Sequence, residues 1–223
     1  VVVRTIFNEL RRIAVNEYLA SLERDLALIE AGFKEEERRA RSDYDSHDRE
    51  SALEIAYCAY RSEVYQVRMY AVFLFGYLSQ DQEVLTFLRE NVAQDDNWRV
   101  QEILAKAFDV FCATMGYEQA LSVIDEWLAH SSPNVRRAVT EGLRIWTSRP
   151  YFKDHPCEAI KRLSALRNDP SEYVRKSVGN ALRDISKRFP DMVATELSAW
   201  DLESTKVKQV YRLASKFIKA VSD

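Results

Sequence analysis

The chain has 223 residues, 47% of them hydrophobic, which is enough for one large core or one stack of repeats and argues against disorder. Five glycines and five prolines are too few for a β-rich protein built on tight turns and suit helices joined by short connectors. The formal charge of −3 conceals an asymmetry, with 14 Lys and Arg against 24 Asp and Glu in residues 1–131 and 18 against 11 in residues 132–223, so a basic half fit for an anionic partner follows an acidic one.

In chain order, residues 1 to about 32 read as one or two helices. The charged stretch 34–50, with its EEERRAR and DYDSHD runs, reads as a surface connector. The most apolar run, Met69 to Leu78, is about half the roughly 20 residues of a membrane span. No signal-peptide layout precedes it, and Cys58, Cys112 and Cys157 form no close pairing, so a reducing, cytoplasmic setting without a membrane is expected.

From Tyr65 onward one pattern returns five times: YQVRMYAVFLFGYL, WRVQEILAKAFDVF, PNVRRAVTEGLRIW, EYVRKSVGNALRDI and TKVKQVYRLASKFI. The aligned valines are Val67, Val100, Val135, Val174 and Val207, spaced by 33, 35, 39 and 33 residues, the range of helical-repeat arrays. Apolar positions then follow at helical spacing, as in Val174, Val178, Leu182 and Ile185. A second helix fits upstream of the later segments, at 83–91, 117–129 and 158–166. Ser132-Pro133 and Asp169-Pro170 read as helix starts. Helix pairs of this kind bury their apolar faces only by stacking. The expectation is therefore an all-α protein: a right-handed α-α superhelix, or solenoid, of HEAT-like repeats with a concave binding surface. It forms a single domain over 1–223, with 1–50 as N-terminal helices and connector and 51–223 as about five helix pairs. The Thr-Pro-Leu-His turn of ankyrin repeats and the Trp-Gly-Tyr set of tetratricopeptide repeats are absent.

Rows of equivalent positions across the stack are where function is expected. One residue past the valines stand Arg68, Gln101, Arg136, Arg175 and Lys208; two past stand Met69, Glu102, Arg137, Lys176 and Gln209; nine past stand Gly76, Asp109, Arg144, Arg183 and Lys216. Arg137, Arg144, Lys176 and Arg183 thus form a row suited to tracking phosphates, whereas an arginine of the first row has a structural reading too, as a bond to a neighbouring repeat. Glu141, with Arg137 at i−4 and Arg144 at i+3, is either a catalytic carboxylate or part of a structural ion network. Trp98, Trp146 and Tyr151 are either core residues or faces for a cationic base. No phosphate loop, GxGxxG, HExxH or CxxC occurs, and His47, His130 and His155 are dispersed, so neither a metal nor a nucleotide cofactor is expected.

The block VRRAVTEGLR at 135–144 resembles the VRR…SEG…R signature of the HEAT-like DNA alkylation repair enzymes, which remove positively charged alkylated purines. NWRVQEILAKAFD at 97–109 is similar to the family's tryptophan-containing inner helix, and DPSEYVRKSVGNALRDISKRFP at 169–190 to its late repeat. The resemblance covers roughly residues 60–220. Ile145-Trp146-Thr147-Ser148-Arg149-Pro150 stands where that branch carries Pro-Arg-Leu-Pro-Trp, and Arg99 follows Trp98 where another branch has a doubled tryptophan.

The resemblance implies a monomeric DNA N-glycosylase without cofactor, acting on duplex DNA with alkylated bases. It puts Arg137, Glu141 and Arg144 at the DNA-facing site, with Trp98, Lys176, Asn180 and Arg183 along the same groove; Arg136 and Arg149 are further expected DNA contacts, and Trp98, Trp146 and Tyr151 are expected to stack on the lesion. Glu141 is the first candidate for the carboxylate at the sugar, with Asp109 and Glu102 as alternatives. The competing expectation is a non-catalytic HEAT scaffold that binds a protein or undamaged DNA.

Overall fold

The computed structural model describes residues 2–218, with side chains from residue 13 onward; the first residue and the last five of the expected repeat domain lie outside the described residues. The elements are α1 (Val2–Leu26), α2 (Lys34–Ser46), α3 (Arg49–Ala59), α4 (Tyr65–Leu78), α5 (Gln82–Glu90), α6 (Trp98–Met115), α7 (Leu121–Leu128), α8 (Pro133–Trp146), α9 (Pro156–Ala165), α10 (Glu172–Ser186), α11 (Pro190–Ser198) and α12 (Thr205–Ala214). Among the described residues there is no strand, and no helix is long and apolar enough to cross a membrane. The five repeated segments are α4, α6, α8, α10 and α12, and their valines are fully buried apart from Val207 at 5% exposure. The fold is thus all-α and HEAT-like.

The chain divides into two compact units, Val1–Phe111 and Cys112–Asp223, with the boundary inside α6. In the second unit α10 packs on both α8 and α12, while α9 and α11 pack on one another and against α10. The repeated helices and their partners thus make two layers. Pro133, Pro156 and Pro190 each open a helix, where a missing N–H and a fixed φ cost nothing. Asp169-Pro170 does not start one: α10 begins at Glu172 behind Ser171, and the Asp169 carboxylate turns to a partner in the preceding repeat.

Gly142 in α8 has a packing reason. A Cβ there would lie 2.4 Å from Cζ2 of the Trp146 indole one turn later, a rigid ring fully buried beside Phe152. Gly142→Ala is expected to lose about 1–3 kcal/mol through overpacking, more than alanine's helix propensity returns. A thermal melt at or above that of the parent chain would contradict this.

The charged stretch 34–50 is not a connector. It forms α2 and the start of α3, and α2 packs on α4 through Glu36, Ala40 and Asp43, all buried. Their spacing of four and then three residues makes a helical stripe whose composition hides its burial. Asp43 is compatible with that position because Tyr18 and Tyr70 both donate to its Oδ2. Glu36 is fully buried with neither carboxylate oxygen hydrogen-bonded, and burial pushes its carboxyl above the ordinary 4.5.

The native state therefore holds the Glu36 proton over a pH range in which the unfolded chain has released it. That contribution to stability is fully present below about pH 4.5 and is lost as pH rises through the higher native value. Glu36→Met is expected to gain about 1–3 kcal/mol at neutral pH, the cost of an unsatisfied buried polar group, and the gain should shrink toward pH 4. Urea titrations at several pH values test it, and parallel pH curves for the two chains would rule it out.

Candidate nucleic-acid interface

In the second unit the first row is structural. Arg136 donates from Nε and Nη2 to the two oxygens of Asp169 at 2.7 and 2.8 Å, and from Nη1 to the carbonyls of His130 and Ser131. Arg175 repeats the pattern on the Asp169 and Pro170 carbonyls and on Gln209 Oε1. In the first unit Arg68 grips Asp95 and the Ser62 and Glu63 carbonyls, and Gln101 donates to the Asp95 carbonyl. Arg136 and Arg175 are buried, and Arg68 keeps only 14% of its side chain exposed. The expected DNA contact of Arg136 is therefore corrected: its guanidinium is used up tying one repeat to the turn of the next.

The second and third rows are more open, except at Arg137, whose side chain is only 13% exposed. The guanidinium carbon of Arg137 lies 4.2 Å from the centroid of the Tyr173 ring, which is 40% exposed. Lys176 is exposed and pairs with Glu172 one turn earlier at 2.8 Å. Arg144, Arg183 and Lys187 gather on Asp184. Burial alone would push the Asp184 carboxyl up, but hydrogen bonds from Lys187 and Arg144 outweigh it and hold the group below its ordinary value. Asp184 thus stays ionised and aims three cations. Asn180 is half-buried and Arg149 is exposed.

Glu141 accepts from Ser177 Oγ at 2.8 Å on α10, and Ser177 shares a 2.6 Å hydrogen bond with Thr140. Arg144 reaches Glu141 at 3.5 Å and Arg137 at 3.8 Å. This carboxylate sits inside a network joining α8 to α10, with a quarter of its side chain exposed.

The expected lesion faces separate. Trp146 is fully buried, packed against Tyr117 and Phe152, so its indole offers no face to a ligand and that expectation is corrected. Tyr151 is half-buried and stacks on His155 at 4.7 Å, at a φ of 65° that is unusual for a residue with a side chain of this size. In the first unit Trp98 is 51% exposed at the start of α6. Glu102 is exposed one turn later, and Asp109 is half-buried two turns beyond that, on the same face of the helix.

Sequence reasoning missed Tyr173, Asp184 and Ser177. Tyr173 and Ser177 carry no charge, and Asp184 stands outside the three rows, but each lies one residue from an aligned valine or a row position: Tyr173 before Val174, Asp184 after Arg183, Ser177 after Lys176. Among the described residues no cluster of three or more His, Cys, Asp or Glu could hold a metal ion. Cys157 contacts Met192, and His155 bonds the Tyr151 carbonyl.

Fold and site define a helical-repeat protein with a cationic surface on one unit and an exposed Trp-Glu pair on the other. The family pattern described as DNA alkylation repair enzyme matches residues 11–216, and the chain belongs to that family. It is similar to the crystal structure of AlkD2 from Streptococcus mutans, at 64% identity over 92% of this chain and 100% of that one, with a TM-score of 0.91. A predicted DNA alkylation repair enzyme from Enterococcus faecalis shares the fold at 15% identity, with a TM-score of 0.65 over 83% of each chain. The uncharacterized protein YhaZ of Bacillus subtilis (strain 168) is 37% identical over 87 residues, which is 37% of this chain and only 24% of that relative.

Proposed function

We propose that the chain binds duplex DNA carrying alkylated bases and hydrolyses the N-glycosidic bond of purines made cationic by alkylation at N3 or N7. The observation that carries this reading is the pairing, on one face of α6, of an exposed indole with an exposed carboxylate one turn away, Trp98 and Glu102. Membership of the alkylation repair family supports it.

A cationic purine leaves readily, because the electron pair of the breaking C1′–N bond neutralises its charge. The protein then needs to stabilise the positive sugar and place a water, whose oxygen bonds to C1′ while its proton passes to a carboxylate. Glu102 is assigned that carboxylate, with Asp109 as the alternative on the same face. Glu141 accepts from Ser177 and pairs with Arg137 and Arg144, which it positions. Arg137, Arg144, Arg149, Lys176 and Arg183 hold phosphates, with Asn180 beside them, and no cofactor enters the reaction.

One observation favours a second reading, a non-catalytic scaffold: Glu141, the carboxylate of the VRRAVTEGLR block, is built into an inter-helix network. Release of methylated purine from methylated duplex DNA separates the two, since a scaffold releases none above background. DNA binding is tested on its own by salt. Affinity should fall steeply as salt rises, and Lys176→Gln should lower the log–log slope by about one. A slope near zero for the parent chain would dismiss phosphate binding altogether.

A further inference from the structure

In the second unit the packing of α9 on α11 brings two sulfurs together. Cys157, the second residue of α9, directs its thiol S–H at the thioether of Met192, the third residue of α11, with the sulfurs 3.9 Å apart. Both face solution. Met192 is 42% exposed, and Cys157 is the exposed member of the three cysteines, since Cys112 is buried and Cys58 half-buried. A thiol is a weak donor and a thioether a weak acceptor, so their contact adds little to stability. The pair nevertheless aims two soft donors at one point. Metal–sulfur bonds of about 2.3 Å drawn from sulfurs at this spacing meet at roughly 115°, near the trigonal angle, with no movement of either helix.

We propose that Cys157 and Met192 form a copper(I) site, in which the ion takes the place of the thiol proton between the two sulfurs. Thiolate and thioether are the soft ligands that select this ion. Zinc takes thiolate, imidazole and carboxylate donors in sets of three or four, and among the described residues no three His, Cys, Asp or Glu gather for it. The exchange balances: a Cu–S bond forms as the S–H bond breaks, one proton leaves for each ion bound, and no electron is transferred. The third position of trigonal copper faces solution, where a small thiol can fill it and carry the ion on or off. Neither residue belongs to the cationic rows or to α6, so the site is independent of base release.

The test supplies copper(I) without oxygen, as its acetonitrile complex, to the full chain and withdraws it with the competing chelator bicinchoninate. The parent should retain one ion per chain and release one proton as it binds. Cys157→Ser and Met192→Leu should each weaken retention by at least about 10-fold, the low end of what even an outer-shell change costs a metal site. Cys58→Ser should leave it unchanged. Met192→Leu is the critical variant, because it keeps the thiol and removes only the second sulfur. Zinc should bind the parent and Met192→Leu alike, since a thioether is not a zinc ligand.

Equal retention by Met192→Leu and the parent would reduce the site to a surface thiol and overturn the proposal. Retention by Cys157→Ser, or binding without proton release, would overturn it as well. Both substitutions fall at exposed positions, and circular dichroism on each variant excludes misfolding as the cause of a loss.

Discussion

Arg136→Met is expected to destabilise the protein by about 3–5 kcal/mol, the usual cost of leaving one member of a buried ion pair alone. The Asp169 side chain would keep the backbone N–H of Ser171 as a donor at 2.8 Å, while only 2% of it meets solvent. The His130 and Ser131 carbonyls would lose their donor at the same time. Against a typical total of about 5–15 kcal/mol the loss is severe. The charge, not the missing contact area, causes it, so Arg136→Met combined with Asp169→Leu should recover much of the stability. Urea unfolding of the single and double variants decides this. A single variant within about 1 kcal/mol of the parent would show that the pair does not hold the repeats together.

Glu102→Gln is expected to reduce release of methylated purine by about 100- to 10,000-fold, the usual contribution of a positioned acid–base group. The change keeps the size of the side chain and removes its negative charge together with the proton acceptor. Glu141→Gln should cost far less at the chemical step, because its part is to place Arg137 and Arg144. Single-turnover kinetics on methylated duplex DNA separate a loss of rate from a loss of binding. Full activity of Glu102→Gln with loss in Asp109→Asn would move the assignment two turns along α6, and full activity in both would return it to Glu141.

The cationic rows show how much of the site was legible. Positions one and two residues past each valine differ by about 100° around the helix. The first row carries four cations and the second two, and both read as candidates for phosphate. Packing of the next repeat decides between them: it covers Arg136 and Arg175 and leaves Lys176 exposed. Trp146 was ambiguous for a similar reason. Its fate depended on Phe152, six residues on in a turn, and on Tyr117, which precedes α7.

Helical class, the five repeated segments and the buried valines are legible in the residues alone, because apolar periodicity is a local property that every turn of a helix restates. Tertiary structure alone decided which charges face water. Arg136 meets a carboxylate 33 residues away, and α2 buries Glu36 and Asp43 in a stretch that composition marks as solvated. An ion pair or a buried carboxylate joins residues that no periodicity connects, and its free energy depends on the dielectric around it, which exists only after the helices have stacked.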